Sequence, residues 1–140
     1  MQITRQVEYA VRTVLYLAKQ PAGACIATAQ IAREQGIPNS FLAKIVLQLS
    51  AVGVLHTSRG AKGGVQLAKS AEDISLLEIV EAIDGPIEVN DCVLHAARCQ
   101  QSGDCPVRKT WCDARAEFVK RLARANFAYL VANGHSPDEQ

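Results

Sequence analysis

The chain has 140 residues, 49% of them hydrophobic and 21% charged, with a formal net charge of +1. That size and balance describe one globular domain with a real core, and they exclude a disordered chain or two full domains. No apolar run is long enough to span a membrane and MQITRQVEYA has no signal-peptide pattern, so a cytoplasmic protein with no membrane partner is expected.

Five cysteines make an odd number, and a reducing compartment disfavours disulfide stapling, which leaves metal or redox chemistry for the thiols. The net charge hides an asymmetry. Residues 1–71 hold eight basic and two acidic side chains, whereas residues 72–140 hold seven and twelve. No acid stands between Glu34 and Glu72, a window that contains Lys44, Arg59, Lys62 and Lys69. An anionic partner would be drawn to that half, as a phosphate backbone is; an ordinary solvated face has the same composition.

From Thr4 to Lys19, Val7, Val11, Val14, Leu15 and Ala18 recur on one face of a helix, which Pro21-Ala-Gly stops. Thr28 then opens a second helix as a capping box, and Gly36 ends it. Only Ile37-Pro38 separates this from a third helix, Asn39 to Val52, with Leu42, Ile45, Val46 and Leu49 as its core face. Two short helices joined by a tight Gly-containing turn form a helix-turn-helix. The outward face of the second is Asn39, Ser40, Ala43, Lys44 and Gln48, small polar groups with a cation one turn on, which suits a major groove. Any helical hairpin has a polar outer face, so this feature is not specific by itself.

Two strand candidates follow, Val54–Ser58 and Val65–Ala68, joined by Arg59-Gly-Ala-Lys-Gly-Gly64. Glycines and two cations let that loop approach a phosphate or a minor groove closely; a flexible hairpin is the plainer account. It is not a nucleotide loop, since no Gly-Lys-Ser/Thr signature is present and no helix opens after it. Helix-turn-helix plus hairpin makes a winged helix, with double-stranded DNA as the expected partner.

Ser75-Leu-Leu-Glu78 reads as a capping box opening a helix that ends at Gly85-Pro86. A polar stretch with Cys92, Cys99 and Cys105 comes next, holding also His95, and a fourth thiol lies at Cys112. Pro106, a good first helical residue, starts a long helix to about Val131. Along it Val107, Trp111, Ala114, Phe118, Leu122, Ala125 and Tyr129 recur at spacings of three and four. So long a seam exceeds what a small core covers, and a dimer interface is its expected use, against packing within the chain. The fold class is therefore mainly α: a winged helix-turn-helix with a small β-hairpin wing and a long C-terminal dimerisation helix. The expected divisions are 1–86 for the DNA-binding region, 87–105 for the cysteine-rich loop, 106–131 for the dimerisation helix and 132–140 for a polar, frayed tail.

The thiol spacing Cys-x6-Cys-x5-Cys-x6-Cys matches neither the paired Cys-x2-Cys of a zinc ribbon nor a ferredoxin run. On chemistry, zinc, an iron–sulfur cluster and a reversible disulfide all remain open. A thiol- or metal-handling protein without DNA binding, such as a zinc carrier or a disulfide-exchange enzyme, is the rival class. No Cys-x-x-Cys and no catalytic Cys–His pairing supports it, so no enzymatic role is expected. Cys25, in the apolar ACIAT, reads as a small buried hydrophobe.

Leu42-Ala-Lys-Ile45, then Arg59-Gly60-x-x-Gly63-Gly64-x-x-Leu67-Ala68, then ISLLEIVEAIDGP from Ile74 to Pro86 together resemble the Rrf2 family of bacterial transcription regulators. The likeness runs from the first residues to about Leu130. It implies a homodimeric winged-helix regulator that binds a DNA operator, and the acid-free window and Gly-rich wing point to Asn39, Ser40, Ala43, Lys44, Arg59, Gly60, Lys62 and Gly63 as the contacts. It further implies an iron–sulfur cluster (2Fe-2S or 4Fe-4S) on Cys92, Cys99 and Cys105, responding to redox state, nitric oxide or iron–sulfur status. Cys105 would open the long helix, where the dipole favours a thiolate. IscR-like members carry a histidine three residues after the last cysteine, where this chain has Arg108, and a recognition-helix glutamate where it has Ala43. NsrR-like members place a carboxylate on the partner's first helix, which here is Glu8. His95 and Cys112 compete as the fourth ligand, and a surface ion pair with Arg5 or Arg12 is the competing account of Glu8. A regulator using zinc or a cysteine redox switch is the alternative within the same fold.

Overall fold

The computed structural model describes residues 2–90, 93, 95 and 105–134. Helix α1 spans Arg5–Ala18, opened by Thr4, whose hydroxyl accepts from the Val7 amide and donates to Asp84 at 2.9 Å. Val7, Ala10, Val14 and Leu17 leave almost no surface to solvent, so α1 is the element on which the rest packs. Helices α2 (Thr28–Gln35) and α3 (Asn39–Ala51) follow, then strands β1 (Leu55–Ser58) and β2 (Gly64–Leu67), a short 3-10 turn at Ala71–Asp73, and α4 (Leu76–Asp84). Beyond these lie α5 (Pro106–Arg124) and α6 (Phe127–Asn133). This is the mainly α winged helix that the periodicity predicts, and Leu42, Ile45, Val46 and Leu49 of α3 are its buried stripe as expected. No helix among the described residues is long and apolar enough to cross a membrane.

The start of α2 differs from expectation. Thr28 is already inside the helix, and the cap is Ala27, which offers no side-chain hydrogen bond. The cause lies just upstream: Ile26 exchanges two backbone hydrogen bonds with Val65, at 2.9 and 2.8 Å, so the chain is strand-like until Ala27. Cys25, next to that bridge, is half-buried rather than buried, with its sulfur 3.8 Å from the Ser58 hydroxyl. Between α2 and α3, Gly36 takes the left-handed conformation (φ 64°) and buried Ile37 returns its amide to Ala32, which sets the tight turn. Tyr16 of α1 donates to Glu34 of α2 at 2.5 Å. That hydrogen bond, with desolvation and the carboxylate's charge behind it, raises the phenol's pKa above its ordinary value.

Ser75 caps α4 by accepting from the Glu78 amide. The other half of the expected capping box is missing, because the Glu78 carboxylate pairs with Lys69 at 2.7 Å instead.

The long helix expected over residues 106–131 is two helices. Ala125 is extended (φ −83°, ψ 90°), and Asn126 caps α6 by accepting from the Tyr129 amide. What breaks it is pairing to the α4 entrance: the Leu76 amide donates to Ala125 and the Phe127 amide donates to Ile74. The break turns Phe127 into the main core, fully buried, so the C-terminal part of the predicted seam serves the chain's own interior. Phe127→Ala should cost about 3–5 kcal/mol of stability. Urea unfolding measures it, and an unchanged midpoint would contradict this placement.

Candidate nucleic-acid interface and thiol site

With Leu42, Ile45, Val46 and Leu49 turned inward, α3 presents Asn39, Ser40, Ala43 and Lys44, all exposed, on the opposite side. Gln48 does not belong to that face. It is half-buried, with its side-chain oxygen shielded and unpartnered among the described residues. Leu47 occupies the outward position instead, 72% exposed. The rule that polar means outward missed it, although the spacing Ser40, Lys44, Leu47, Ala51 marks one face of a helix.

The wing is a two-stranded antiparallel ladder pairing Leu55 with Leu67, His56 with Gln66, Thr57 with Val65 and Ser58 with Gly64. Its tip carries Arg59, Gly60 and Lys62 in the open, closed by the Gly63 amide donating to Gly60 at 2.9 Å. Two glycines are there for space. A Cβ on Gly63 would meet the Ser58 carbonyl oxygen at 2.5 Å, and one on Gly64 would meet that of Ile26 at 2.3 Å. The second contact ties the wing to the start of α2, so the wing's direction is fixed relative to the helix-turn-helix. Neither Lys44, Arg59 nor Lys62 is paired with an acid among the described residues. These cations are left for a partner.

Of the three cysteines expected to bind a cluster, Cys92 and Cys99 lie outside the described residues, as do most of the 87–105 loop and the tail from 135. Cys105 is the residue before Pro106 at the start of α5, half-buried and with no cap hydrogen bond from its side chain. Glu8 is exposed on α1 and forms an ion pair with Arg12, whose guanidinium lies 5.7 Å from the Tyr9 ring centre. That pair is the competing account of Glu8 within one chain. Cys112 is half-buried, seven residues before Val119 and so on the side of α5 that packs inward; Arg108 is half-buried as well. His95 is exposed, 3.9 Å from Glu88. Among the described residues no three metal-capable side chains converge.

A helix-turn-helix followed by a basic-tipped hairpin defines a winged-helix DNA-binding protein. Residues 3–133 match the Rrf2 family, described as iron-dependent transcriptional regulators. A putative Rrf2-like HTH-type transcriptional regulator of Rhodobacter capsulatus is 33% identical, covering 95% of this chain and 94% of that protein. The HTH-type transcriptional regulator NsrR of Halalkalibacterium halodurans is 28% identical, covering 95% and 92%. In structure, the oxidised form of Staphylococcus aureus CymR superposes with a TM-score of 0.76 at 27% identity, covering 97% of this chain and all of that one. The chain belongs to the Rrf2 family and is a DNA-binding transcription regulator.

Proposed function

We propose that the chain acts as a homodimer on a near-palindromic duplex operator, with DNA affinity controlled by an iron–sulfur cluster. The observation that carries the DNA part is the acid-free stretch between Glu34 and Glu72, which holds α3 and the wing and leaves Lys44, Arg59 and Lys62 exposed. Asn39, Ser40, Ala43 and Lys44 face the major groove in this reading, and Arg59, Gly60, Lys62 and Gly63 follow the adjacent minor groove.

Support for the dimer comes from α5. This 19-residue helix buries no residue fully. Val119 and Leu122 pack toward Val7, Val80 and Ile87, and Arg115 donates to the Ile87 carbonyl at 2.7 Å. Val107, Trp111, Ala114 and Phe118 stay exposed at spacings of four, three and four, an uncovered apolar stripe fit for a second copy.

The donor set fits a cluster. The free, half-buried thiol of Cys105 leads a soft sulfur set with Cys92 and Cys99, and exposed Glu8 of the partner subunit supplies an oxygen ligand. A bound cluster would supply iron reactive toward oxidants and nitric oxide, and the harder carboxylate ligand would be the one more easily displaced. A second reading keeps the DNA reader and makes a thiol the switch. It is favoured by Cys25, half-buried against Ser58 at the foot of the wing, where peroxide would convert the thiol to a sulfenic acid and release water.

Lys44→Ala should weaken all DNA sequences alike and lower the salt slope by about one unit. Arg59→Ala should cost about 1–3 kcal/mol through a base-edge contact. Fluorescence anisotropy across a salt series reads both, and unchanged affinity in the two variants removes the assignment. Phe118→Glu would bury an unpaired carboxylate twice at a two-fold interface, costing several kcal/mol. A variant still sedimenting as a dimer would place the interface elsewhere. After anaerobic reconstitution with iron and sulfide, Cys92→Ala, Cys99→Ala and Cys105→Ala should each abolish visible absorption. Glu8→Ala should alter the spectrum or its lability, whereas Cys112→Ala should not. A colourless wild type whose DNA binding falls with peroxide, but not in Cys25→Ser, would favour the thiol reading instead.

A further inference from the structure

The outward face of α3 is poor in hydrogen-bonding groups. Beyond Asn39 and Ser40 in its first turn and Lys44 one turn on, it consists of Ala43, Leu47 and Ala51, all exposed. Leu47 stands between the two alanines, four residues from each, and keeps 72% of its surface in solvent. Isolated exposed leucines are ordinary on protein surfaces. This one is different in its setting. It lies on the face opposite the buried stripe of Leu42, Ile45, Val46 and Leu49, in a stretch with no acid between Glu34 and Glu72. It also shares its face with Lys44, a cation unpaired with any acid among the described residues. The charge around it suits a polyanion, not an apolar protein partner.

We propose that Leu47 is a specificity-determining residue that reads thymine methyl groups in the major groove. Ala43, Leu47 and Ala51 have no side-chain donor or acceptor, so they distinguish base pairs by shape and apolar contact. The apolar group that a base pair presents in the major groove is the C5 methyl of thymine. Leu47 stands about 10 Å along the helix axis from Ser40, within the roughly 12 Å width of that groove. A helix with Ser40 and Lys44 at the groove therefore brings Leu47 to a base edge one or two steps further on. Ala43 leaves room beside it for the methyl. The inference rests on the assignment of α3 as the groove-reading helix.

The probe is a duplex selected from a random-sequence pool by the wild-type protein, then resynthesised with deoxyuridine in place of each thymidine in turn. Deoxyuridine lacks the methyl and keeps every hydrogen-bonding group. At one or two positions per half-site, wild-type affinity should fall about three- to fourfold, the transfer value of one methyl-sized group. Leu47→Ala should bind the parent duplex with a similar loss and show no further loss on the deoxyuridine duplexes. Placing 5-methylcytosine at a neighbouring cytosine is not expected to restore it. Leu47 lies outside the core, so its melting temperature serves as the folding control. A wild type indifferent to every methyl, a selected site without thymine, or a Leu47→Ala variant that keeps full methyl sensitivity would each overturn the proposal. Lys44→Ala and Arg59→Ala on the same duplex separate the two levels. Loss of affinity in them with a methyl-blind wild type sinks the role of Leu47 only, whereas unchanged affinity in both sinks the groove assignment beneath it.

Discussion

Burial of one side of α1 is the constraint from which the other placements follow. Val7, Ala10, Val14 and Leu17 are closed off on a helix that touches α2, α3, α4, α6 and β2. A stripe of that kind stabilises by about 25 cal/mol for each Å² of apolar surface removed from water. It also leaves the far side of each packed helix facing out. For α3 that far side is the acid-free face, so the core and the face proposed to read DNA are two consequences of one periodicity. The polar contacts sharpen the arrangement without carrying it: Tyr16 to Glu34 links α1 with α2, and Thr4 to Asp84 links α1 with α4.

The wing has a different origin. A two-stranded hairpin is marginal by itself in water. Here β2 gains a second neighbour in Ile26, and the approach is so close that Gly64 has no room for a side chain. The residue that orients the wing is therefore a glycine next to a single-residue bridge, not one of the cations at its tip. Cys25 and Ser58 meet beside this bridge, so a change at that thiol would act where the wing is fastened.

Much of the head was legible because each helix repeats an apolar residue every three or four positions and ends at a turn residue. The turn at Gly36, the buried stripe of α3 and the Gly-rich wing all follow from such local signals. Three features did not. The Ile26–Val65 bridge pairs residues 39 apart and leaves no periodic trace, so Thr28 reads as a cap although the chain is still extended at Ile26. The break at Ala125–Asn126 is hidden because Leu122, Ala125 and Tyr129 keep helical spacing across it. The Asn126 cap was available as a signal, but the hydrogen bonds to Ile74 and Leu76 that enforce it are tertiary. The exposure of Leu47 is the third: an outward face drawn from polar residues alone leaves it out, although its spacing from Ser40, Lys44 and Ala51 places it there. Of the proposed thiol site, the structure describes Cys105, the cap residue of α5, and Glu8 on α1, while Cys92 and Cys99 lie outside the described residues.

That break gives α5 its mechanical position. Most of a helix's stability in a protein comes from packing of its apolar face, and α5 is held to the rest of the chain through Val119, Leu122 and Arg115 near its middle and end. Its first turn follows directly from Cys105, and its last turn leads through Ala125 and Asn126 to Phe127 in the main core. The helix thus connects a thiol at one end with the packing of α1 and α3 at the other. Its exposed stripe lies between them. If a second copy covers Val107, Trp111, Ala114 and Phe118, a group held at Cys105, as proposed, would act at the end of the interface helix itself. The far end of that helix is anchored, past the break at Ala125–Asn126, by Phe127 in the main core.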